Sequence, residues 1–169
     1  LRRMSAADNF WAPLIALYTG ARSGEIVTLK EEDIVPDAGD GHAAPGMQCH
    51  VILIREKEDD TPGRKKKKLK NTNARRRVPV AQRLIELGLL DYVDHVRSHG
   101  AQLLFPHLKM NKTRENDPSK KVSRRFGEHL DKVELRDLDK VFHSFRHTVV
   151  TRMHVHEVPV KDAELITGH

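Results

Sequence analysis

The stretch RKKKKLKNTNARRR, residues 64 to 77, carries nine basic side chains and no acid. It is set between two short β-branched runs, HVILIRE (50 to 56) and RRVPV (76 to 80), with KEDDTPG turning the chain after the first. Such an arrangement reads as an antiparallel pair whose cations gather at the hairpin. Pro79 has no N–H to give to a ladder and suits an edge strand. A small sheet of two or three strands follows, with Lys70 on or beside the hairpin. By composition alone the lysine run would equally serve as a solvated face or a nuclear localisation signal. Its place between strands favours a tip that touches a groove or a backbone.

The rest of the chain has the period of helices. Ser5 and Asp8 offer caps, and Trp11, Leu14, Ile15 and Tyr18 follow at helical spacing up to Gly20. Pro13 is acceptable there only in the first turn. ARSGEIVTLKEEDI restarts a helix with Ser23 as N-cap and Ile26, Val27 and Leu29 as its apolar face, which puts Arg22 at the elbow between two helices. Residues 36 to 46 have the Gly, Pro and Asp content of a loop. A helix resumes from Ala81 to about His99 with a break near Gly88. LLFP (103 to 106) is a brief apolar anchor before a polar loop at 107 to 120. Val122, Phe126, Leu130 and Val133 then trace a stripe, as do Phe142, Phe145, Val149 and Met153, and a last helix runs to His169. The expected class is α+β, mainly α: one domain over 1–169, helices around a small antiparallel sheet.

The 169 residues suffice for one core. The net charge is +6, so the chain outside the basic stretch, +6 less nine, carries −3. A polyanion is the partner this local basicity favours. A single cysteine, Cys49, excludes an internal disulfide and makes a cysteine-built zinc site a poor expectation. No apolar run reaches the roughly 20 residues of a membrane span. The expectation is a soluble protein of the cytoplasm, not of a membrane.

KVFHSFRHTVVTRM, residues 140 to 153, places His143, Arg146 and His147 at i, i+3 and i+4, neighbours on one helical surface. Alone, an H-x-x-R match is weak. It is joined by Arg22 at a helix entrance, Lys70 in a hairpin and His169 after a final helix. A phosphodiester in transfer gathers charge on its non-bridging oxygens, and two planar guanidiniums can clamp those oxygens as lysines cannot.

ALYTGARSGEIVTL, LKNTNARRRVPV, HSFRHT and ELITGH, in this order, resemble the boxes of the tyrosine recombinases, the phage-integrase family, from about Asn9 to His169. The resemblance implies that Arg22 and Arg146 grip the scissile phosphate and that Glu25 braces the site from behind. It implies that Lys70 protonates the departing 5′-hydroxyl, with Lys68 its competitor for that role. His143 becomes a general acid–base group and His169 a donor to the phosphate. Lys65, Lys66, Lys67, Lys68, Arg75 and Arg76 are expected to contact DNA without reading bases.

The partners implied are double-stranded DNA and, in the whole protein, a tetramer on paired sites. The reaction implied, two transesterifications through a 3′-phosphotyrosyl link, needs neither metal nor cofactor. The family's nucleophile lies beyond the GH box, so residues 1–169 are expected to form a DNA-associated catalytic-domain fragment that lacks it, lacks an N-terminal DNA-binding domain, and is inactive by itself. Tyr18 and Tyr92 belong to packing stripes. The alternative is a catalytically inactive DNA-binding relative. His143 and His147 have the spacing of zinc proteases, but Ser144 stands where those carry glutamate.

Overall fold

The computed structural model describes residues 7–37, 49–55, 75–108, 117–135 and 140–168. Its elements in chain order are α1 (Ala7–Thr19), α2 (Ser23–Ile26), a 3-10 turn at Glu31–Asp33, β1 (Ile34–Pro36), β2 (His50–Ile54), β3 (Arg76–Pro79), α3 (Gln82–Glu86), α4 (Leu89–Ser98), α5 (Pro118–Lys132), α6 (Ser144–Val155) and α7 (Val160–Thr167). The strands form one antiparallel sheet in the order β1-β2-β3, with Ile34 opposite Ile52 and Ile52 opposite Val78. Pro79 does lie on an edge strand.

One core joins the helices to one face of the sheet. Ile15, Ile26, Ile52, Val78, Leu84, Leu89, Leu104 and Phe105 are all buried within it. Trp11, Tyr92 and Phe105 stack through ring separations of 5.8 and 6.4 Å, which locks α1, α4 and the LLFP anchor together. The Tyr92 hydroxyl donates to the Leu104 carbonyl at 2.6 Å. Burial, helped by the negative charge of Asp8, pushes its pKa up to about 12. Tyr92 is thus a protonated core residue, in keeping with the packing role read from its stripe.

Several local expectations are corrected. Pro13 lies in the interior of α1 and not in its first turn. Asp8 is no cap: it is fully buried and accepts from Arg125 Nη1 at 2.6 Å and pairs with His107, which ties α1 to α5 and to the segment after LLFP. Ser5 lies outside the described residues. The helix expected from Ser23 onward lasts four residues, and its N-cap position is Arg22 rather than Ser23. The chain then turns and enters β1, the third strand, where a continued helix had been expected. The break at Gly88 is real, with φ +90 between α3 and α4.

Near the site, Phe126, Phe142 and Phe145 pack pairwise with ring centroids 5.0 to 5.7 Å apart. They pin the start of α6 onto α5. Phe142 is buried while His143, the next residue, faces solvent.

Candidate active site

The segment TGARSGE (19 to 25) builds the first half of the site. Thr19 donates its hydroxyl to Ile15 O at 2.5 Å and accepts the Ala21 N–H at 3.1 Å, closing α1. Gly20, at φ +66, makes the left-handed turn that ends the helix. Val149 lies only 3.2 Å from where a Cβ on Gly20 would sit, so α6 packs directly on this turn. The chain then extends through Arg22 and enters α2.

No Ser, Thr, Asp or Asn side chain caps α2 at the N-cap position. Instead Glu25, three residues on, reaches back and accepts the Arg22 N–H through Oε2 at 2.8 Å. Its Oε1 accepts from Arg22 Nη1 at 3.1 Å. Two further bonds come from Arg76 on β3, Nη1 to Oε1 at 3.0 Å and Nη2 to Oε2 at 2.8 Å. The carboxylate therefore holds four donors, the capacity of its lone pairs.

The second half is the end of α7. A helix leaves its last carbonyls without intrahelical partners and carries partial negative charge there. Three consecutive carbonyls at this end each accept from a different arginine. Ile166 O takes Arg76 Nε at 2.8 Å, Thr167 O takes Arg146 Nη1 at 2.6 Å, and Gly168 O takes Arg22 Nη2 at 3.3 Å. Arg146 Nη1 also donates to Gly20 O at 2.8 Å, which stitches α6 to the first half. Gly168 turns the chain at φ +71, and His169 follows it in sequence.

Arg22, Glu25, Arg146 and His143 thus gather in one place, drawn from α2, α6 and its N-cap. The expected shared basic face of α6 is corrected in one respect. His143 and His147 are exposed, with ring centroids 4.9 Å apart, but Arg146 is only 4% exposed and lies beneath them. Arg22 keeps 46% of its side chain in water. Lys65, Lys66, Lys67, Lys68, Lys70 and His169 lie outside the described residues. Arg75 is exposed at the start of β3.

Arg76 is the larger correction. Expected among the DNA contacts, its side chain is 3% exposed and committed to Glu25 and Ile166. Alternation explains it: Arg76 and Val78 share the buried face of β3, while Arg77 and Pro79 face out. An arginine on the core face must find a carboxylate, and that signal was present in RRVPV.

The electrostatics of the cluster ask for an anion. Burial first, then the charge of Arg22, push the Arg146 pKa down to about 10, with Glu25 acting in the opposite sense and Arg76 in the same one. Arg146 stays a cation at neutral pH, but one whose charge is poorly accommodated. His143 lies below its ordinary 6.5, from burial first and then from His147, Arg146 and Arg22. At neutral pH its imidazole is uncharged and able to accept a proton.

Glu25 moves the other way. Burial raises its pKa, but hydrogen bonds from Arg76 and the Arg22 N–H, with both guanidinium charges, outweigh that and hold it below 4.5. A carboxyl that ionises more readily folded than unfolded stabilises the fold above pH 4.5 and loses that contribution as pH falls through its folded value. Glu25→Gln is therefore expected to flatten the acid side of the melting-temperature profile below about pH 4.5. Thermal melts from about pH 6 down through the carboxylate range check it.

Among the described residues no group of three or more His, Cys, Asp or Glu could hold a metal, and no helix is long and apolar enough to cross a membrane. A mainly helical domain with a three-stranded antiparallel sheet, two arginines from distant segments meeting at a helix end, defines the catalytic-domain fold of tyrosine recombinases. The profile of the phage integrase family matches residues 5–169, and the chain belongs to that family.

Two solved structures of the XerH site-specific recombinase share the fold, a post-cleavage complex with palindromic difH substrate and a pre-cleavage complex with difH substrate. Each aligns at TM-score 0.65 and 21% identity over 98% of this chain and 40% of the XerH chain. The chain thus spans less than half the length of those recombinases. No curated protein matches it significantly.

Proposed function

We propose that this domain cuts and rejoins DNA in site-specific recombination through a 3′-phosphotyrosyl intermediate. The observation that carries the reading is the meeting of Arg22 and Arg146 at one helix end, where burial and the neighbouring guanidiniums push the Arg146 pKa down to about 10. A single phosphodiester answers that demand. Family membership supports the chemistry, and the fold is shared with XerH, whose structures include complexes with its DNA substrate.

In this reading Arg22 and Arg146 hold the non-bridging oxygens and offset the charge that grows on them at the pentacoordinate phosphorus. His143, neutral at pH 7, takes the proton of a tyrosine supplied from beyond His169. The tyrosine oxygen bonds to phosphorus, the bond to the 5′ oxygen breaks, and Lys70 protonates that oxygen as it leaves. His169 donates to the phosphate. A free 5′-hydroxyl from a second strand then attacks the phosphotyrosyl link and the protons return. Double-stranded DNA is the partner, with a tetramer on paired sites as the working assembly.

The test is a nicked suicide substrate offered to a polypeptide that includes the downstream tyrosine. A covalent protein–DNA adduct is the expected result. DNA binding with no adduct would instead make the chain an inactive DNA-binding relative. Lys70→Ala is expected to slow cleavage by about a hundredfold, within the range for loss of a general acid. Substituting sulfur for the leaving 5′ oxygen, which needs no protonation, is expected to restore the rate. An unrescued Lys70→Ala would transfer the role to Lys68.

A further inference from the structure

Of the three arginines at the end of α7, Arg76 and Arg146 are both buried, and Arg76 alone comes from the sheet, on the core face of β3. Arg22 is half exposed and Arg146 lies beneath two exposed histidines. Arg76 spends its planar fork on both oxygens of Glu25 and its Nε on Ile166 O. Its guanidinium also lies against Gly168, so close that a Cβ there would meet Nη1 at 2.7 Å and Cζ at 2.9 Å. One side chain thus touches the residue that orients Arg22 and the turn that leads to His169.

We propose that Arg76 is a positioning residue for strand cleavage, fixing Glu25 and the 166–168 turn so that Arg22 meets the phosphate held by Arg146. The inference rests on the recombinase reading above and gives a further residue to that site. Helix α2 is one turn long, and a lone turn is not a rigid mount. The Arg22 to Glu25 contacts are all local to that turn, so they orient Arg22 only if Glu25 is itself anchored. Arg76 supplies the anchor from β3, whose ladder pairs Arg76 with Ile54.

Stability alone is a weak reason for such a pair. A buried ion pair commonly returns little more in attraction than its desolvation costs, whereas a bidentate fork fixes geometry closely. A misplacement of about 1 Å at a reacting centre can cost a hundredfold in rate. The opposite possibility, that Arg76 contacts a DNA phosphate directly, makes a different forecast, because losing one phosphate contact lowers the salt dependence of binding by about one unit of slope.

The experiment uses the full-length protein with Arg76→Met and Arg76→Lys. It measures single-turnover cleavage at saturating target DNA and DNA affinity against salt. For Arg76→Met the expected result is cleavage slowed at least about tenfold, with affinity and salt slope unchanged.

Arg76→Lys keeps the charge without the fork and is expected to fold and still cleave more slowly than the wild type. If Arg76→Met does not fold, Arg76→Lys decides: cleavage at the wild-type rate overturns the proposal. So does a rate loss in either variant that disappears at saturating DNA and comes with a lower salt slope. A wild-type protein that binds DNA and forms no adduct counts against the recombinase reading instead, and a wild type that cleaves no faster than folded Arg76→Met counts against Arg76 alone.

Discussion

Arg146→Ala is expected to abolish the covalent adduct on nicked DNA and to lower the stability of the fold as well. The first effect follows from its place. It is one of the cations that converge at the end of α7, and donors of this kind at a transferring phosphoryl group are worth about a thousandfold or more in rate. The second follows from burial. Losing the guanidinium leaves Gly20 O and Thr167 O without the bonds at 2.8 and 2.6 Å that join α6 to α1 and α7.

Buried acceptors left unpaired cost about 1 to 3 kcal/mol each. Some of that returns, because removing a desolvated cation also ends its repulsion with Arg22. A net loss of about 2 kcal/mol is expected, read as a lower urea midpoint with an unchanged slope. Adduct formation at the wild-type rate would remove Arg146 from the chemistry. Arg146→Lys separates the two roles: it restores part of the packing and one bond, but not the planar clamp.

How much of this was legible in the sequence depended on the range over which each residue's partner lies. The helical stripes, the break at Gly88 and the strands flanking the basic stretch each show in a window of a few residues, and the described elements follow them closely. β1 was missed because a three-residue strand has too little alternation to stand out against EEDI, a good helix composition. Pro13 was misplaced because tertiary packing of α1 overrides a local penalty.

The site is a separate case. The ordered boxes resemble a known family, and the geometry brings Arg22, Glu25 and Arg146 together, but the reason they meet is a set of bonds spanning 21 to 146 residues to three carbonyls at the end of α7. Backbone acceptors leave no mark in a sequence. Arg76 did leave one. Read by composition, it is part of a charge run; read by strand period, it shares a face with Val78 and must be inside. Period outweighs composition wherever a charged run enters a strand.

The same hub makes Gly168 the position where the smallest change should have the largest effect. At φ +71 any residue with a Cβ is strained, by about 1 to 2 kcal/mol. Gly168→Ala adds a second cost, since the new methyl would sit 2.7 Å from Arg76 Nη1 and 2.9 Å from Cζ. The guanidinium has no slack with which to give way, being tied to Glu25 and Ile166, so either that fork or the turn must move. Gly100→Ala isolates the two costs. Gly100 has nearly the same φ, +67, with nothing within 4 Å of its Cβ position. It is expected to lose about 1 kcal/mol and keep full cleavage, whereas Gly168→Ala is expected to lose about 3 kcal/mol and to slow cleavage about a hundredfold. Urea midpoints and single-turnover rates of the pair check this. Equal rates in the two variants would mean that the contact between Arg76 and the Gly168 turn does not set the geometry of the clamp.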